Sequence, residues 1–275
     1  AQPSAGDFMA VQIAPNSPED RIWAEIIDQT RREAQAEPVL ASFLHTTILN
    51  HQTLEAALSF HLANKLDSPA MPAMLLRELI EAALKDDPRI GRSVRADLLA
   101  VFERDSACDD YSTPFLYFKG FHAIQAYRVA HWLWQQGRES LALFLQNRIS
   151  VVFAVDIHPA AQLGEGLMFD HATGIVIGET AVVDDRVSIM QSVTLGGTGK
   201  ESGDRHPKVR QGVLIGAGAK ILGNIEIGAC ATIGAGSVAL KSVPPRKIAA
   251  GVPARIVGDS HCSQPSQSMD HRLSD

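Results

Sequence analysis

An aliphatic or aromatic residue returns every six positions through the C-terminal half of this chain. The successive runs are Ile157, Leu163, Phe169 and Ile175; Ile177, Val183, Ile189 and Leu195; and Val209, Ile215, Ile221, Ile227, Ile233 and Ala239. Glycine often follows these positions, and each glycine costs about 1 kcal/mol in a helix relative to alanine. A six-residue period with small residues at fixed places predicts a parallel β-helix, whose short strands end in tight corners. Its coils stabilise one another by stacking.

Composition divides the chain near residue 155. Seventeen of the 21 glycines follow that point, whereas Phe169 is the only one of the 16 aromatic residues that does. Apolar residues at helical spacing, such as Ile22, Trp23 and Ile26, predict helices before it. His122 and His131 within those helices are typical of structural histidines. We expect a flexible N-terminus over 1–17, an α-helical oligomerisation domain over 18–154, a β-helix over 155–258 and a disordered polar tail over 259–275.

Charge and cysteine content exclude several classes of protein. The net charge is −6, from 25 Lys+Arg and 31 Asp+Glu, which argues against a nucleic-acid-binding protein. No apolar run exceeds five residues, so we expect no membrane-spanning helix. No secretory signal is recognisable, since no basic residue precedes Arg21. Cys108, Cys230 and Cys262 lack metal-ligand spacing, which favours a reducing cytoplasm and no metal.

The six-residue period is interrupted between Leu195 and Val209 by a polar, glycine-rich stretch containing Gly-Asp-Arg-His-Pro-Lys. This stretch must leave the β-helix as a loop, and binding residues commonly lie on such loops. Arg205 and His206 are therefore candidate binding residues.

His171 is the best candidate for a general base. A lone histidine on a strand is more often structural, but Asp156, His158 and Asp170 lie within nearly one coil of it. Adjacent strand residues point to opposite faces, so we expect Asp170 to be poorly placed to orient His171. Asp156 lies fifteen residues earlier, nearly one coil away, and could approach from the neighbouring coil.

Four segments resemble bacterial serine O-acetyltransferases, which are hexapeptide-repeat acyltransferases. They are YSTPFLYFKGFHAIQAYRVAHWLW, VDIHPAAQLGEGLMFDHATGIVIGETAVV, SVTLGGTGKESGDRHPKVR and AAGVPARIVG. The resemblance covers roughly residues 18–258. It implies an α+β protein, in which an all-α N-terminal domain precedes a left-handed parallel β-helix. It also implies a homotrimer and a pair of trimers joined by the N-terminal helices. The hand comes from the resemblance alone, since parallel crossovers are normally right-handed.

The resemblance also implies an activity. It is transfer of acetyl from acetyl-CoA to the L-serine hydroxyl, giving O-acetyl-L-serine and CoA as the first step of cysteine synthesis, with inhibition by L-cysteine. His171 matches the family's general base and Asp156 its partner. Asp105, Asp170, Arg205 and His206 match the serine-binding positions, and we expect Arg205 and His206 to come from a neighbouring subunit. No permanently bound cofactor is expected.

Acetyl-CoA requires small residues along its pantetheine arm and cations at its phosphates. Backbone near Gly197 is a candidate oxyanion donor. The candidate groove residues are Ala217, Gly218, Ala235 and Gly236, and the candidate phosphate-binding cations are Lys220, Lys241 and Arg255.

Three alternatives remain at this stage. An acetyltransferase for a sugar or another small alcohol would keep His171 and would not need the amino-acid clamp. A zinc-binding β-helix would use His158, His171 and His206 as ligands, although Arg205 would repel the cation. A non-catalytic scaffold is the third. The family's tail often docks into O-acetylserine sulfhydrylase through a terminal isoleucine, which the sequence ending His271-Arg-Leu-Ser-Asp275 does not contain.

Overall fold

The structure is a computed structural model that describes residues 20–199, 202–260 and 263–272. Its N-terminal region is helical, as predicted. The helices are α1 (Arg21–Ala36), α2 (Ala41–Leu44), α3 (Leu54–Leu66), α4 (Ala73–Asp86), α5 (Pro88–Arg104), α6 (Ser112–Tyr117), α7 (Lys119–Gln135) and α8 (Glu139–Phe153), with a π-helical turn at His45–Leu49. None of the described helices is both long and apolar enough to span a bilayer.

Local sequence explains where several helices begin. The Asp20 carboxylate accepts a hydrogen bond from the backbone N–H of Trp23, and Thr53 Oγ1 accepts one from Ala56. Such N-caps satisfy backbone donors that the first helical turn leaves without partners. α5 begins with a proline, whose fixed φ suits the first position of a helix.

The C-terminal region forms three sheets of five, four and six strands, and successive coils add parallel strands to each sheet in turn. The first sheet contains β1 (Val155–Ile157), β4 (Ile175–Ile177), β7 (Thr194–Gly196), β10 (Lys220–Leu222) and β13 (Val238–Ala239). The second contains β2 (Gln162–Leu163), β5 (Val182–Val183), β8 (Lys208–Val209) and β11 (Glu226–Ile227). The third contains β3 (Met168–Phe169), β6 (Ser188–Ile189), β9 (Leu214–Ile215), β12 (Thr232–Ile233), β14 (Lys247–Gly251) and the antiparallel β15 (Ala254–Asp259).

The six-residue frame predicts the interior of this β-helix. Ile177 pairs in register with Leu195, which pairs with Ile221, and all three are buried. The two-residue slip in the frame has a structural reason, because Ile175 and Ile177 both point inward on one strand. Leu163 in the first coil is only half-buried.

Helix α7 packs directly against the first coil. A Cβ atom on Gly120 would lie 2.0 Å from the backbone oxygen of Phe169, so only glycine allows this approach. The buried Arg128 donates to Asp97 at 2.7 Å, and Asp97 also accepts the backbone N–H of Leu167 at 2.9 Å. These contacts hold the end of β3 against the helices.

The polar tail differs in part from the expectation of disorder over 259–275. Residues Pro265–Ser268 form the short helix α9, with Pro265 and Ser266 buried. The Ser266 carbonyl accepts a hydrogen bond of 2.8 Å from Ser188 Oγ, on the outer face of the third sheet. That outer face offers a packing surface which composition does not reveal. The expected flexible N-terminus, 1–17, and residues 273–275 lie outside the described residues.

Candidate active site

His171 lies at the corner between the third and first sheets. The corner requires left-handed backbone, with φ of +54° at His171 and +60° at Ala172. The side chain of His171 is 73% exposed, and its Nε2 lies 3.9 Å from Asp170 Oδ1. This separation is too long for a hydrogen bond, so the expectation that Asp170 is poorly placed to orient His171 stays a prediction, although β3 ends at Phe169 and strand alternation does not extend into the corner.

A cleft of about 440 Å³ brings together three of the predicted residues, Asp105, Asp170 and His171. Its walls are the end of α5, the junction of α6 and α7, and β3. Asp105 is the C-cap of α5, and its Oδ1 accepts the backbone N–H of Ala107 at 2.9 Å. Phe118 and Gly120 supply apolar and backbone surface on the opposite wall.

The cleft favours a cationic ligand group. Burial raises the pKa of the Asp170 carboxyl, and the neighbouring Asp105 raises it further, while His171 opposes both effects. Two carboxylates in one partly buried site repel each other, and an ammonium group between them would relieve that repulsion.

Asp156 lies on β1, outside the lining of this cleft. It is half-buried, and its carboxylate accepts a hydrogen bond of 2.7 Å from Gln146 Nε2 on α8. No hydrogen bond joins Asp156 to His171 in the described part of the chain. The neighbouring His158 accepts the Ala160 N–H at Nδ1 and packs its ring against Trp134 at 5.1 Å.

Arg205 and His206 lie at a different corner, between the first and second sheets. Arg205 Nη2 lies 2.6 Å from Glu179 Oε2. His206 is buried, and its ring occupies the space beside Gly178. Neither residue lines the cleft of His171, so a single chain holds the predicted serine-binding residues in two separate sets.

The predicted groove residues occupy the same corner as His171 in later coils of the β-helix. We call this stack of corners the column. Backbone hydrogen bonds stack this corner: Ser192 N–H donates to Thr173 O, Gly218 N–H to Gln191 O and Gly236 N–H to Ala217 O, at 2.8, 2.9 and 2.7 Å. Ala217 and Gly218 are half-buried, whereas Ala235 and Gly236 are exposed. The column therefore offers accessible backbone beside small side chains.

The predicted cations differ in their positions. Lys220 begins β10, and its ammonium contacts the carbonyl oxygen of Ser192 in the column. Lys241 is exposed just after β13, and Arg255 is exposed on β15. Gly197 lies apart from the column, since a Cβ there would be 3.7 Å from Arg205 and from His206.

Sequence reasoning missed the residues that hold these groups. Glu179 and Thr180 contact Arg205 and His206, which lie about 26 residues later in the sequence. This separation differs from the length of a regular coil because of the loop between β7 and β8. The Gly-Glu-Thr string after Ile177 marks a corner of the β-helix, but nothing in the repeat indicates which loop packs on it. Gln146 was missed because it lies on a helix outside the repeats.

Within the described ranges, no group of three His, Cys, Asp or Glu residues is arranged to hold a metal ion. Two histidines of the zinc alternative, His171 and His206, are also separated within the chain. His171 lies in the cleft, while His206 packs beside Gly178 at the next corner.

Two family models match the chain. The model described as serine acetyltransferase, N-terminal, matches residues 22–126, and the bacterial transferase hexapeptide model matches residues 206–239. A serine acetyltransferase of Escherichia coli strain K12 is 62% identical over 252 residues, which is 92% of this chain and 92% of that protein. The chain belongs to the serine acetyltransferase family. The family resemblance of the sequence is thereby confirmed.

Solved structures of serine acetyltransferases share the fold. That from Vibrio cholerae has a TM-score of 0.91 and 60% identity, covering 92% of this chain and 98% of that one. A serine acetyltransferase in complex with cysteine has a TM-score of 0.90 and 60% identity, with the same coverage. The Brucella abortus protein in complex with coenzyme A has a TM-score of 0.87 and 55% identity, covering 89% and 98%. The predicted architecture, a helical region followed by a parallel β-helix, is confirmed.

Proposed function

We propose that this chain transfers the acetyl group of acetyl-CoA to the hydroxyl of L-serine, giving O-acetyl-L-serine and CoA. The observation that carries the proposal is the cleft in which His171 faces two carboxylates, at the foot of a column of small residues. One base, one cation-binding pair and one groove are what this acyl transfer requires. The acceptor and the donor are also the ligand classes of the family.

His171 acts as the general base in this scheme. A neutral alcohol is a weak nucleophile, so the imidazole removes the hydroxyl proton as the oxygen attacks the thioester carbonyl. The tetrahedral intermediate then breaks its carbon–sulfur bond, and the imidazolium returns the proton to the CoA thiolate. The exposure of the His171 ring to the cleft suits such a role. The backbone near Gly197 lies beside Arg205 and His206, so as a candidate oxyanion donor it would come from the same neighbouring subunit as those residues.

Asp156 supports His171 in the same proposal. Its carboxylate would stabilise the imidazolium and hold the ring in one tautomer, as the carboxylate of a catalytic triad does. In the described chain Asp156 accepts a hydrogen bond from Gln146, which fixes the carboxylate on β1. Gln146 occupies only one acceptor site of that carboxylate, so Asp156 retains acceptor capacity for His171.

The serine substrate is held by charges of both signs. Asp105 and Asp170 face its ammonium group in the cleft. Arg205 and His206 face its carboxylate, since a guanidinium suits a carboxylate and the neutral imidazole is a donor. Because the two sets lie at different corners of one chain, we propose that each site combines the cleft of one subunit with Arg205 and His206 of a neighbour.

A trimer satisfies this requirement. The first sheet lies between the corner of His171 and the corner of His206. When three chains pack with their first sheets around a threefold axis, the His171 corner of one chain meets the His206 corner of the next. Val151, Val176 and Leu240 are exposed apolar residues on α8, on β4 and after β13, and they suit such an interface. Val39 and Met74 are exposed on the helical region and suit the pairing of two trimers.

Acetyl-CoA lies along the column that begins at His171. Ala217, Gly218, Ala235 and Gly236 let the pantetheine arm approach the backbone, while Lys220, Lys241 and Arg255 meet the phosphates. L-Cysteine differs from serine by one atom and would compete in the same cleft. The free Cys108 and Cys230 suit a cytoplasmic enzyme. O-Acetylserine sulfhydrylase is the proposed partner of the tail.

A thiol-release assay tests the proposal. We expect saturable CoA release that depends on both acetyl-CoA and L-serine. Because L-cysteine is itself a thiol, its inhibition is followed by the loss of thioester absorbance, and we expect it at millimolar concentration. Galactosides as acceptors test the sugar acetyltransferase alternative. Release that requires a galactoside and ignores L-serine would overturn the proposed substrate.

A further inference from the structure

Thr180 makes an unusual number of contacts with the loop that carries Arg205 and His206. Its Oγ1 accepts the backbone N–H of Arg205 at 3.0 Å and that of His206 at 3.1 Å. The same hydroxyl lies 2.9 Å from His206 Nδ1. Lys208 Nζ bridges the carbonyl oxygens of Thr180 and His206, at 2.9 and 2.7 Å. One side chain thus fixes the backbone of both proposed carboxylate-binding residues.

The backbone of Thr180 settles the tautomer of His206. The N–H of Thr180 points at His206 Nδ1 at 3.1 Å. An N–H group can only donate, so Nδ1 must offer its lone pair and carries no proton. The hydrogen of a neutral imidazole is then on Nε2. Burial lowers the pKa of His206, and the Arg205 guanidinium lowers it further, so the ring is held neutral.

Gly178 provides the space for this ring. A Cβ atom at that position would lie 2.1 Å from both Cδ2 and Nε2 of His206. Nε2 also lies 3.7 Å from the position of a Cβ on Gly197. Within the described residues, Nε2 has no hydrogen-bond partner, so its N–H is available to a ligand.

We infer that Thr180 is a positioning residue that locks His206 as the Nε2–H tautomer, with Gly178 leaving room for the ring, so that His206 donates one hydrogen bond to the substrate carboxylate. The inference rests on the proposed function, which supplies the carboxylate. Because Thr180 and Gly178 already fix the ring of His206, its Nε2–H group binds the carboxylate without an entropic cost of ordering the ring.

Steady-state kinetics of three variants test the inference. Thr180→Val keeps the shape and the backbone N–H that sets the tautomer, but removes the hydroxyl that holds the loop backbone of Arg205 and His206. We expect it to raise the KM for L-serine about tenfold, the loss of one hydrogen bond to a charged group. The KM for acetyl-CoA should not change. Thr180→Ser, which keeps the hydroxyl, should restore the KM for L-serine, and Gly178→Ala should raise it as Thr180→Val does.

Thr232→Val is the matched control. Thr232 is a buried β-helix threonine whose hydroxyl makes no hydrogen bond within the described residues, and its variant should leave both KM values unchanged. A second control repeats Thr180→Val in a His206→Gln background. Because the hydroxyl also holds the Arg205 backbone, part of the rise in the KM for L-serine should remain there, but it should be smaller than in the unaltered background. An equal rise in both backgrounds, or an unchanged KM in Thr180→Val, would overturn the inference.

The tautomer can be read directly in the unaltered protein. Nitrogen-15 spectra of histidine-labelled enzyme, with His206→Gln used for assignment, distinguish a protonated ring nitrogen from an unprotonated one. We expect Nδ1 of His206 to be unprotonated, and a protonated Nδ1 would contradict the inference even if the Thr180 and Gly178 variants misfold. Absence of serine-dependent CoA release in the unaltered enzyme would instead contradict the proposed function, so the two failures are distinguishable.

Discussion

Arg205 Nη2 lies 2.6 Å from Glu179 Oε2, so the guanidinium proposed to hold the substrate carboxylate is already oriented by a carboxylate of its own chain. Arg205 Nη1 also donates to the Gly203 carbonyl at 3.0 Å. The two side chains are 29% and 39% exposed, so the pair adds little to stability. We therefore expect the pair to act by orienting the guanidinium.

Glu179→Ala should weaken serine binding while leaving the fold intact. We expect the KM for L-serine to rise about three- to fivefold, equivalent to roughly 1 kcal/mol, with no change in the KM for acetyl-CoA. The thiol-release assay measures both. Glu226→Ala is the matched control, because Glu226 pairs with Arg210 at the same distance of 2.6 Å and similar exposure. Equal effects of the two substitutions would contradict the orienting role.

Ala235→Phe should obstruct the proposed pantetheine groove. Ala235 is exposed on the column above His171, so a phenyl ring there fills the groove without entering the core. The KM for acetyl-CoA should rise at least about tenfold, since the arm loses its contact with the backbone. The KM for L-serine should stay constant. Ala229→Phe, at another corner of the same coil, is the control and should leave both KM values unchanged. An unchanged KM for acetyl-CoA in Ala235→Phe would contradict the proposed position of the groove.

Arg95→Met should destabilise the helical region strongly. Arg95 is 3% exposed and pairs with Glu55 at 2.6 Å and with Asp20. Removing the cation leaves two carboxylates without a positively charged partner, which costs about 3–5 kcal/mol. Urea unfolding measures the loss. Arg31→Met, which breaks an exposed pair with Asp28, should cost less than about 1 kcal/mol, and equal losses would contradict the argument.

Acid should destabilise the helical region through His61. Burial lowers the pKa of His61 from its ordinary 6.5 to about 4. A histidine that is neutral when folded contributes full stability above pH 6.5, and that contribution is lost as pH falls towards 4. The neighbouring His122, with its ring 5.1 Å away, has its pKa lowered in the same direction by burial.

Unfolding by urea between pH 6.5 and 5 measures this effect. Protonation of His61 in the unfolded chain should by itself reduce the free energy of unfolding by about 2 kcal/mol over that range. His61→Gln keeps a donor for the Leu116 carbonyl, which His61 Nε2 contacts at 3.0 Å, but cannot titrate. Its stability should depend less on pH. Parallel pH profiles for the two proteins would show that His61 does not titrate on unfolding.

The interior of the β-helix could be predicted because a buried aliphatic side chain recurs every six residues along the sequence. Ile177, Leu195 and Ile221 occupy one frame position, and the register stacks them in successive coils. The corner of His171 could not be located in this way, because the repeat predicts a strand at His171 whereas β3 ends at Phe169. Its column of small residues continues wherever the same corner recurs.

Other features of the site depend on tertiary contacts that the six-residue period does not predict. Asp170 shares the cleft with His171 because the strand ends one residue earlier, and strand boundaries this short cannot be read from alternation. Thr180 and Glu179 meet Arg205 and His206 because an irregular loop folds back on a corner. Helix α9 forms from a polar tail because the outer face of the third sheet covers it.

Turnover by His171→Ala tests the central claim most directly. The protein is measured with saturating acetyl-CoA and L-serine, after confirming by sedimentation that its assembly matches that of the unaltered enzyme. Loss of the general base should lower kcat by about 10²–10⁴-fold. A kcat within about twofold of the unaltered enzyme would contradict the assignment of His171 as the base.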